Sequence, residues 1–284
     1  MVDKNNNDNP FNKINDFIES INATITRETR RWEILRHNIR INKLPEKLKG
    51  FHIVQLSDLH AGPYLKLDRL NFFVEKVNEL NPDIIAVTGD MLHESVKALP
   101  IVIEGLKKLK AKYGVYSVLG NHDHYDDYTQ VVKAFKQANL RLLMEETETI
   151  NVNGELINII GVDYPVVGRP VEFNYYDQLV RAKKGSNPDA LDILLAHNPD
   201  AFPSAVRLGI DLTLSGHTHG GQLILGEVKL FGEKVLLAPI RVVHKYVKGH
   251  YQKGDKHLYV SKGIGHWFPI RINCPSEITS IKLV

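Results

Sequence analysis

Fourteen residues in five short clusters carry the chemistry of this chain: Asp58-Leu59-His60, Gly89-Asp90, Gly120-Asn121-His122-Asp123, His197 and Gly216-His217-Thr218-His219. They supply imidazoles (His60, His197, His217, His219), carboxylates (Asp58, Asp90) and an amide oxygen (Asn121). Imidazole is the commonest metal ligand, and a carboxylate with two oxygens can bridge two cations. Two divalent ions about 3.5–4 Å apart that share such a group make a hydroxide nucleophile near neutral pH and neutralise phosphoryl oxygens. Each cluster alone has an ordinary reading. Asp58 suits a turn or a helix cap, Gly89-Asp90 is a common turn, and His197 before Asn198-Pro199 suits a loop. The pointer to a two-metal hydrolytic centre is their conjunction.

The elements that must position these residues follow from apolar periodicity. Short apolar runs at 51–56, 83–87, 115–119, 191–195 and 210–214 read as strands, with helices over 67–80, 96–109, 127–138, 173–183 and 202–208 between them. Pro100 interrupts the second helix early. Asn153-Gly154 between 150–152 and 156–160 signals a hairpin. After Gly220 the pattern turns β-rich, with strands expected near 222–225, 247–251, 257–261 and 277–283. Strand–helix alternation followed by strands implies mixed sheets flanked by helices. Asp58, Asp90, Asn121, His197 and His217 all fall just past expected strand C-termini, where open α/β sheets bind ligands.

Composition narrows the classes. With 284 residues and 43% hydrophobic residues, the chain can bury a large core. A net charge of +3 shows no basic excess of the kind general nucleic-acid binders carry, so charge neither demands nor excludes a nucleic-acid partner and none is clearly indicated. Cys274 is the lone cysteine, which excludes an internal disulfide and cysteine-rich structural zinc. No stretch approaches the roughly 20 apolar residues that span a bilayer, and the Asn-rich start is unlike a secretory signal. A cytoplasmic location is the expectation. Residues 1–10 read as a polar tail. Phe11, Ile14, Phe17, Ile18, Ile21 and Ile25 then recur at helical spacing. That helix either packs on the domain or lies at a membrane interface, where Arg27, Arg30, Arg31, Arg36 and Arg40 could meet anionic lipid.

The ordered blocks Asp-x-His, Gly-Asp, Gly-Asn-His-Asp, His and Gly-His-x-His resemble the calcineurin-like metallophosphoesterase superfamily, whose signature they complete over residues 58–219. The resemblance implies a four-layered α/β/β/α sandwich, here with an N-terminal helical extension: residues 1–31 as tail and amphipathic helix, and 32–284 as the domain. It implies one ion on Asp58, His60, Asp90 and His219, and another on Asp90, Asn121, His197 and His217. Manganese is the first expectation, with iron or zinc as alternatives. It further implies hydrolysis of phosphodiester or pyrophosphate bonds by a metal-bridging hydroxide. His122 then serves as general acid or electrostatic stabiliser, and Asp123 orients the loop or His122 itself. No Gly-x-Ser-x-Gly elbow supports a serine nucleophile.

Protein phosphatases of the superfamily carry an Asp after the second block that orients the catalytic histidine; here His93 stands in its place. Gly89-Asp90-Met91-Leu92-His93-Glu94 is similar to double-strand-break repair nucleases, in which this histidine belongs to the active site, so a DNA or RNA phosphodiesterase is the alternative function. His93 as an ordinary residue at a helix start is the plainer reading. The C-terminal half, with Gly220-Gly221-Gln222, Tyr259 to Gly265 and Pro269 to Ile278, looks like a bacterial branch of envelope-associated phosphoesterases. That branch includes pyrophosphatases acting on UDP-diacylglucosamine, which implies a lipid-linked nucleotide substrate. The resemblance covers about residues 32–284. Members of that branch carry an anchor or export signal; here residues 11–31 would substitute as a peripheral attachment at the inner membrane surface. Trp267-Phe268 and Val242-Val243 near Arg241, Lys245, Lys248 and Arg271 read as β-core with solvated charges, or as a lipid-facing rim. Tyr164 and Arg169 border the cleft in the same reading. A non-catalytic interaction scaffold on the same fold is the other class, opposed by the complete ligand set and by His122.

Overall fold

The computed structural model describes residues 26, 29–164, 175–230 and 233–284. In chain order the elements are β1 (Trp32–Ile39), β2 (His52–Leu56), α1 (Leu67–Glu79), β3 (Ile84–Thr88), α2 (Leu99–Leu106), β4 (Gly114–Val118), α3 (Tyr128–Gln137), β5 (Arg141–Leu142), β6 (Glu146–Val152), β7 (Glu155–Gly161), α4 (Tyr175–Lys183), β8 (Leu191–Leu195), α5 (Phe202–Arg207), β9 (Leu212–Ser215), β10 (Gly226–Leu230), β11 (Glu233–Leu237), β12 (Gly249–Lys253), β13 (Lys256–Val260) and β14 (Ser276–Leu283). They form two six-stranded sheets, β1-β14-β2-β3-β4-β5 and β12-β13-β9-β8-β7-β6, with β10 and β11 as a separate hairpin. In the first sheet β2, β3, β4 and β5 run parallel, as do β7, β8, β9 and β13 in the second.

Residue alternation explains the layers. Every residue of β3 is buried, as expected for a strand covered on both faces. Ile84 and Ala86 point into an inner core shared with Ile193 and Leu195 of β8 and Leu212 and Leu214 of β9. Ile85 and Val87 point outward to Leu70, Phe73, Val74 and Val77, the stripe of α1 at i, i+3, i+4, i+7 spacing. On the far side, Leu194 meets Leu179 and Ala182 of α4 and Ala205 of α5. The order helix, sheet, sheet, helix is the four-layered sandwich. One polar tie crosses the inner core below the site: the buried Gln55 amide donates to Thr88 Oγ1 at 2.8 Å and to the Ser215 carbonyl at 2.9 Å.

Several expectations need correction. Residues 32–39 form β1, parallel to β14, where only a cationic stretch was expected. Exposed Arg36 and Arg40 alternate with the inward members of that strand, and its partner lies at the other end of the chain, so the local pattern hides it. Residues 222–225 are not a strand. Gln222 has φ 49°, Leu223 makes an isolated bridge to Ile272, and the hairpin lies just beyond at β10–β11. The helix expected over 96–109 is a 3₁₀ turn at Val96–Ala98 capped by Ser95, followed by the shorter α2 with Pro100 in its first turn. The Asn153-Gly154 turn joins antiparallel β6 and β7 with both φ values positive, as a type I′ hairpin requires. The helix expected over residues 11–25 and Arg169 lie outside the described residues. Among the described residues, no helix is long and apolar enough to cross a membrane.

Because β14 sits between β1 and β2 and faces the inner core, its packing supports the whole sandwich. Ile281→Ala should lower unfolding free energy by about 2–5 kcal/mol, the range for truncating a fully buried aliphatic side chain. Urea denaturation followed by circular dichroism measures it; a loss under about 1 kcal/mol, ordinary for a surface site, would contradict this placement.

Candidate metal centre

The parallel strands of both sheets deliver their C-termini to one place. β2 ends at Leu56, β3 at Thr88, β4 at Val118, β8 at Leu195 and β9 at Ser215, and the clustered residues follow each of them within a few positions. There the backbone leaves regular geometry. Asp58 (φ 53°), His60 (47°), Asp90 (50°), His217 (71°) and His219 (52°) all adopt the left-handed region that L-residues rarely occupy. Such strain persists only where the surroundings impose it, and it gathers at functional sites. Two glycines make the crowding possible: a Cβ on Gly120 would lie 2.2 Å from Asp90 Oδ1, and one on Gly216 would lie 1.9 Å from Ser57 Oγ.

Three ligand-capable groups result among the described residues: Asp58–His60–Asp90–His219 and Asp90–His197–His217, which share Asp90, and His60–His93–His122, which shares His60 with the first. His60 Nε2 and His219 Nε2 approach to 2.9 Å, and His219 Nε2 is 3.3 Å from Asp58 Oδ1. Asp90 Oδ2 lies 3.6 Å from His60 Nε2 and 3.2 Å from His197 Nε2. Asn121 Oδ1 is 2.9 Å from His217 Nδ1, which brings the amide into the second group. Spacings of about 3 Å suit donors that each sit near 2.0–2.1 Å from a common ion.

His197 gives an independent test of fit. Its Nδ1–H donates to the Thr88 carbonyl at 2.7 Å, which leaves Nε2 as the nitrogen an ion would take; burial opposes the charge but Asp90 outweighs it and raises His197 to about 9, so an ion would displace the Nε2 proton. That nitrogen is buried and has no hydrogen-bond partner; it faces Asp90 within ion-pair distance but without hydrogen-bond geometry. A ring tied by Nδ1–H to a carbonyl, with an unpartnered Nε2 aimed inward, is how proteins prepare a metal-binding histidine. The residues therefore fit a binuclear site.

The electrostatics agree. Burial, then the positive His197, hold His217 down at about 3, and burial holds His60 and His219 well below the ordinary histidine range. These imidazoles are neutral at pH 7. Burial and the charge of Asp90 raise Asp123 to about 7. Asp58 rises to about 6 by burial, opposed by His197. For Asp90, burial pushes upward but the facing His197 and His60 win, and it stays well below the carboxylate range.

The remaining expected residues stand around the two groups that share Asp90. His122 donates its Nδ1–H to the His93 carbonyl, and its backbone N–H donates to Asp90 Oδ1 at 2.8 Å. Asp123 does not touch the His122 ring: it accepts from the N–H groups of Met91, Leu92 and Gly120, each at 2.9 Å, and so ties the β3 loop to the β4 loop. His93 is buried outside any helix, with its ring 5.4 Å from His60 and stacked 5.7 Å from His122. Tyr164 flanks His197 at 5.9 Å and His217 at 5.6 Å, where the cleft border was expected.

Three neighbours escaped the sequence reading. Tyr125 packs 4.4 Å from His122 and accepts from the Asn121 amide at 2.9 Å. His244 lies 5.2 Å from His217. Arg271, expected to be a solvated or rim charge, is fully buried. Its guanidinium donates to the carbonyls of Lys262 and Gly265, both at 2.7 Å, and of Cys274 at 3.2 Å, and stands 3.4 Å from His219 Nδ1. The loop it clamps returns N–H groups from Ile264 and Gly265 to the carbonyls of Ser57 and Asp58. A buried arginine held by carbonyls carries no sequence signature.

Two outcomes follow. Arg271→Met leaves several buried carbonyls unpaired at about 1–3 kcal/mol each, so its melting temperature should fall by several degrees; an unchanged melting curve would contradict the clamp. Burial, then Arg271, lowers His266 to about 4. A histidine whose folded pKa is depressed contributes stability that is present above its unfolded value of 6.5 and is lost as pH falls toward 4. Between pH 7.5 and 5 the wild type should lose roughly 1–2 kcal/mol more than His266→Gln, measured by urea denaturation at both pH values. Equal losses would refute this.

A family model described as calcineurin-like phosphoesterase matches residues 51–221. An uncharacterized metallophosphoesterase of Bacillus subtilis is 33% identical over 88% of this chain and 85% of its own length. An uncharacterized metallophosphoesterase of Helicobacter pylori is 32% identical over 87% of this chain but 62% of its length. A Danio rerio transmembrane protein with metallophosphoesterase domain is 33% identical over 86% of this chain and 56% of its length. The chain thus spans most of the first relative and little more than half of the last. With this match and the geometry together, the chain belongs to the calcineurin-like phosphoesterase family of hydrolases.

Proposed function

We propose that the chain is a two-metal phosphoesterase acting on phosphodiester or pyrophosphate bonds. The observation that carries this is Asp90, a buried carboxylate shared by two convergent ligand groups. Asp58, His60, Asp90 and His219 would hold one divalent ion, and Asp90, Asn121, His197 and His217 the other, with manganese as first choice and iron or zinc also suited to mixed N/O ligation. Such a pair supplies a hydroxide nucleophile near neutral pH and charge for the phosphoryl oxygens.

The chain's own residues account for the rest. His122 has its Nδ1–H engaged by the His93 carbonyl, so Nε2 is the nitrogen left to serve a leaving oxygen, and it hands over a proton there only from the doubly protonated ring. His93 fixes His122 through that carbonyl, and Asp123 fixes the loops that carry Asp90 and Asn121. Tyr164 and Tyr125 wall the site on the His217 and His122 sides. A lipid-linked nucleotide is the finer substrate reading, and residues 32–284 would form the catalytic domain.

Asp90→Asn should remove the bridging charge and lower turnover of an aryl phosphodiester by about a thousandfold or more, with loss of bound metal measured by elemental analysis. His122→Ala should keep its metal and lose about 10²–10⁴-fold in rate, most on substrates with poor leaving groups. Normal turnover by purified Asp90→Asn would sink the proposal. Across substrates, release of UMP from a UDP-linked lipid would support the finer reading, and release of nucleotides from DNA would favour the nuclease.

A further inference from the structure

Eight large apolar side chains are exposed among the described residues, and five of them, Tyr64, Tyr125, Val243, Trp267 and Phe268, sit on or beside segments that contact the metal-centre residues or the loop next to them. Contacts tie this rim to the site. Tyr64 packs 5.3 Å from His93, Tyr125 lies 4.4 Å from His122, and Val243 precedes His244, which reaches His217. Gln222, three residues past His219, holds the Trp267–Phe268 tip by accepting from the Trp267 N–H at 3.2 Å and donating to the Phe268 carbonyl at 2.6 Å. Trp267 is 51% exposed and Phe268 38%, far more than a soluble surface needs from two adjacent aromatics.

The charge around this rim has one sign at the cavity beside Tyr64. A cavity of about 580 Å³ beside Tyr64 is lined by Arg30, Arg69 and His266 together with Leu65, Ile264 and Pro269, and by no carboxylate among the described residues. Exposed Lys66 and Lys97 border the neighbouring cavity of about 450 Å³, which reaches His93 and has Glu94 as its carboxylate. Thr29 also lines the larger cavity and is fastened there, its hydroxyl accepting from the Arg271 N–H at 3.1 Å.

We infer that this face docks on an anionic lipid surface, with Trp267 and Phe268 entering the headgroup region and the arginines and lysines meeting lipid phosphates. Amphipathic aromatic rings settle at that depth, and apolar area plus cationic attraction set the strength of such binding. The inference deepens the phosphoesterase reading, since the docked face holds the metal centre and would take a phosphate ester presented at the bilayer.

The test is co-sedimentation of the full chain with vesicles of phosphatidylcholine alone or doped with phosphatidylglycerol. The wild type should sediment with the doped vesicles, weaken at high salt, and show a blue-shifted Trp267 emission. A W267S/F268S variant should bind about tenfold or more weakly while hydrolysing a soluble aryl phosphodiester at the wild-type rate. No binding to doped vesicles overturns the inference, and so does equal binding by the variant. Self-association that the variant abolishes would assign the rim to a second copy instead and overturn it too. Vesicle binding by a protein that hydrolyses nothing would uphold the docking face and indict only the phosphoesterase reading.

Discussion

Everything near the site answers to the burial of Asp90 among imidazoles. A fully buried carboxylate is tolerable only when paired and hydrogen-bonded, and this one faces His60 and His197 and accepts the His122 N–H. Its neighbours come from both sheets, so satisfying it requires the C-terminal ends of β2, β3, β4, β8 and β9 to meet. The left-handed backbone at Asp58, His60, Asp90, His217 and His219 is what that convergence demands locally. Backbone strain of about 1–3 kcal/mol per residue can be held there because the loops are locked from outside the cluster.

The locks are not ligands. Asp123 gathers three N–H groups from two loops, Gln55 links the sheets beneath, and Arg271 binds the 262–265 segment to the Asp58 loop and to His219. Arg271 is notable as a cation placed beside a cation site. Its nearest partners are carbonyls, and its charge joins burial in keeping His219 neutral. The preference for neutral imidazole is shared by His60 and His217, so the second positive charge of the cluster falls on His197, opposite Asp90. A metal pair would replace that proton as the counter-charge of Asp90.

The layers and the clustering of the candidate ligands were legible because their signals are local. Buried strands such as 84–88 show continuous apolar runs, and α1 shows its stripe at Leu70, Phe73, Val74 and Val77. Ligand types followed from side-chain chemistry at strand ends. β1 was not legible, since alternating Arg36 and Arg40 mask it and its pairing with β14 joins the two ends of the chain. Arg271 was misread, and Asp123 was left open between the loop and the His122 ring, because a charged residue's burial depends on carbonyls and N–H groups supplied by distant loops. Tyr125 and His244 carry no spacing signal at all; only the folded chain puts them beside His122 and His217. Where His93 stands, the motif alone allowed two readings, and the observed contact with His122 runs through its backbone carbonyl.

The central claim is that Asp90 bridges two ions. Anomalous diffraction from crystals of the manganese-loaded protein, recorded at the manganese edge, measures this directly. Two peaks about 3.5–4 Å apart, both within ligand distance of the Asp90 carboxylate, are the expected result. A single peak, or two peaks of which one lies beyond reach of Asp90, would contradict it.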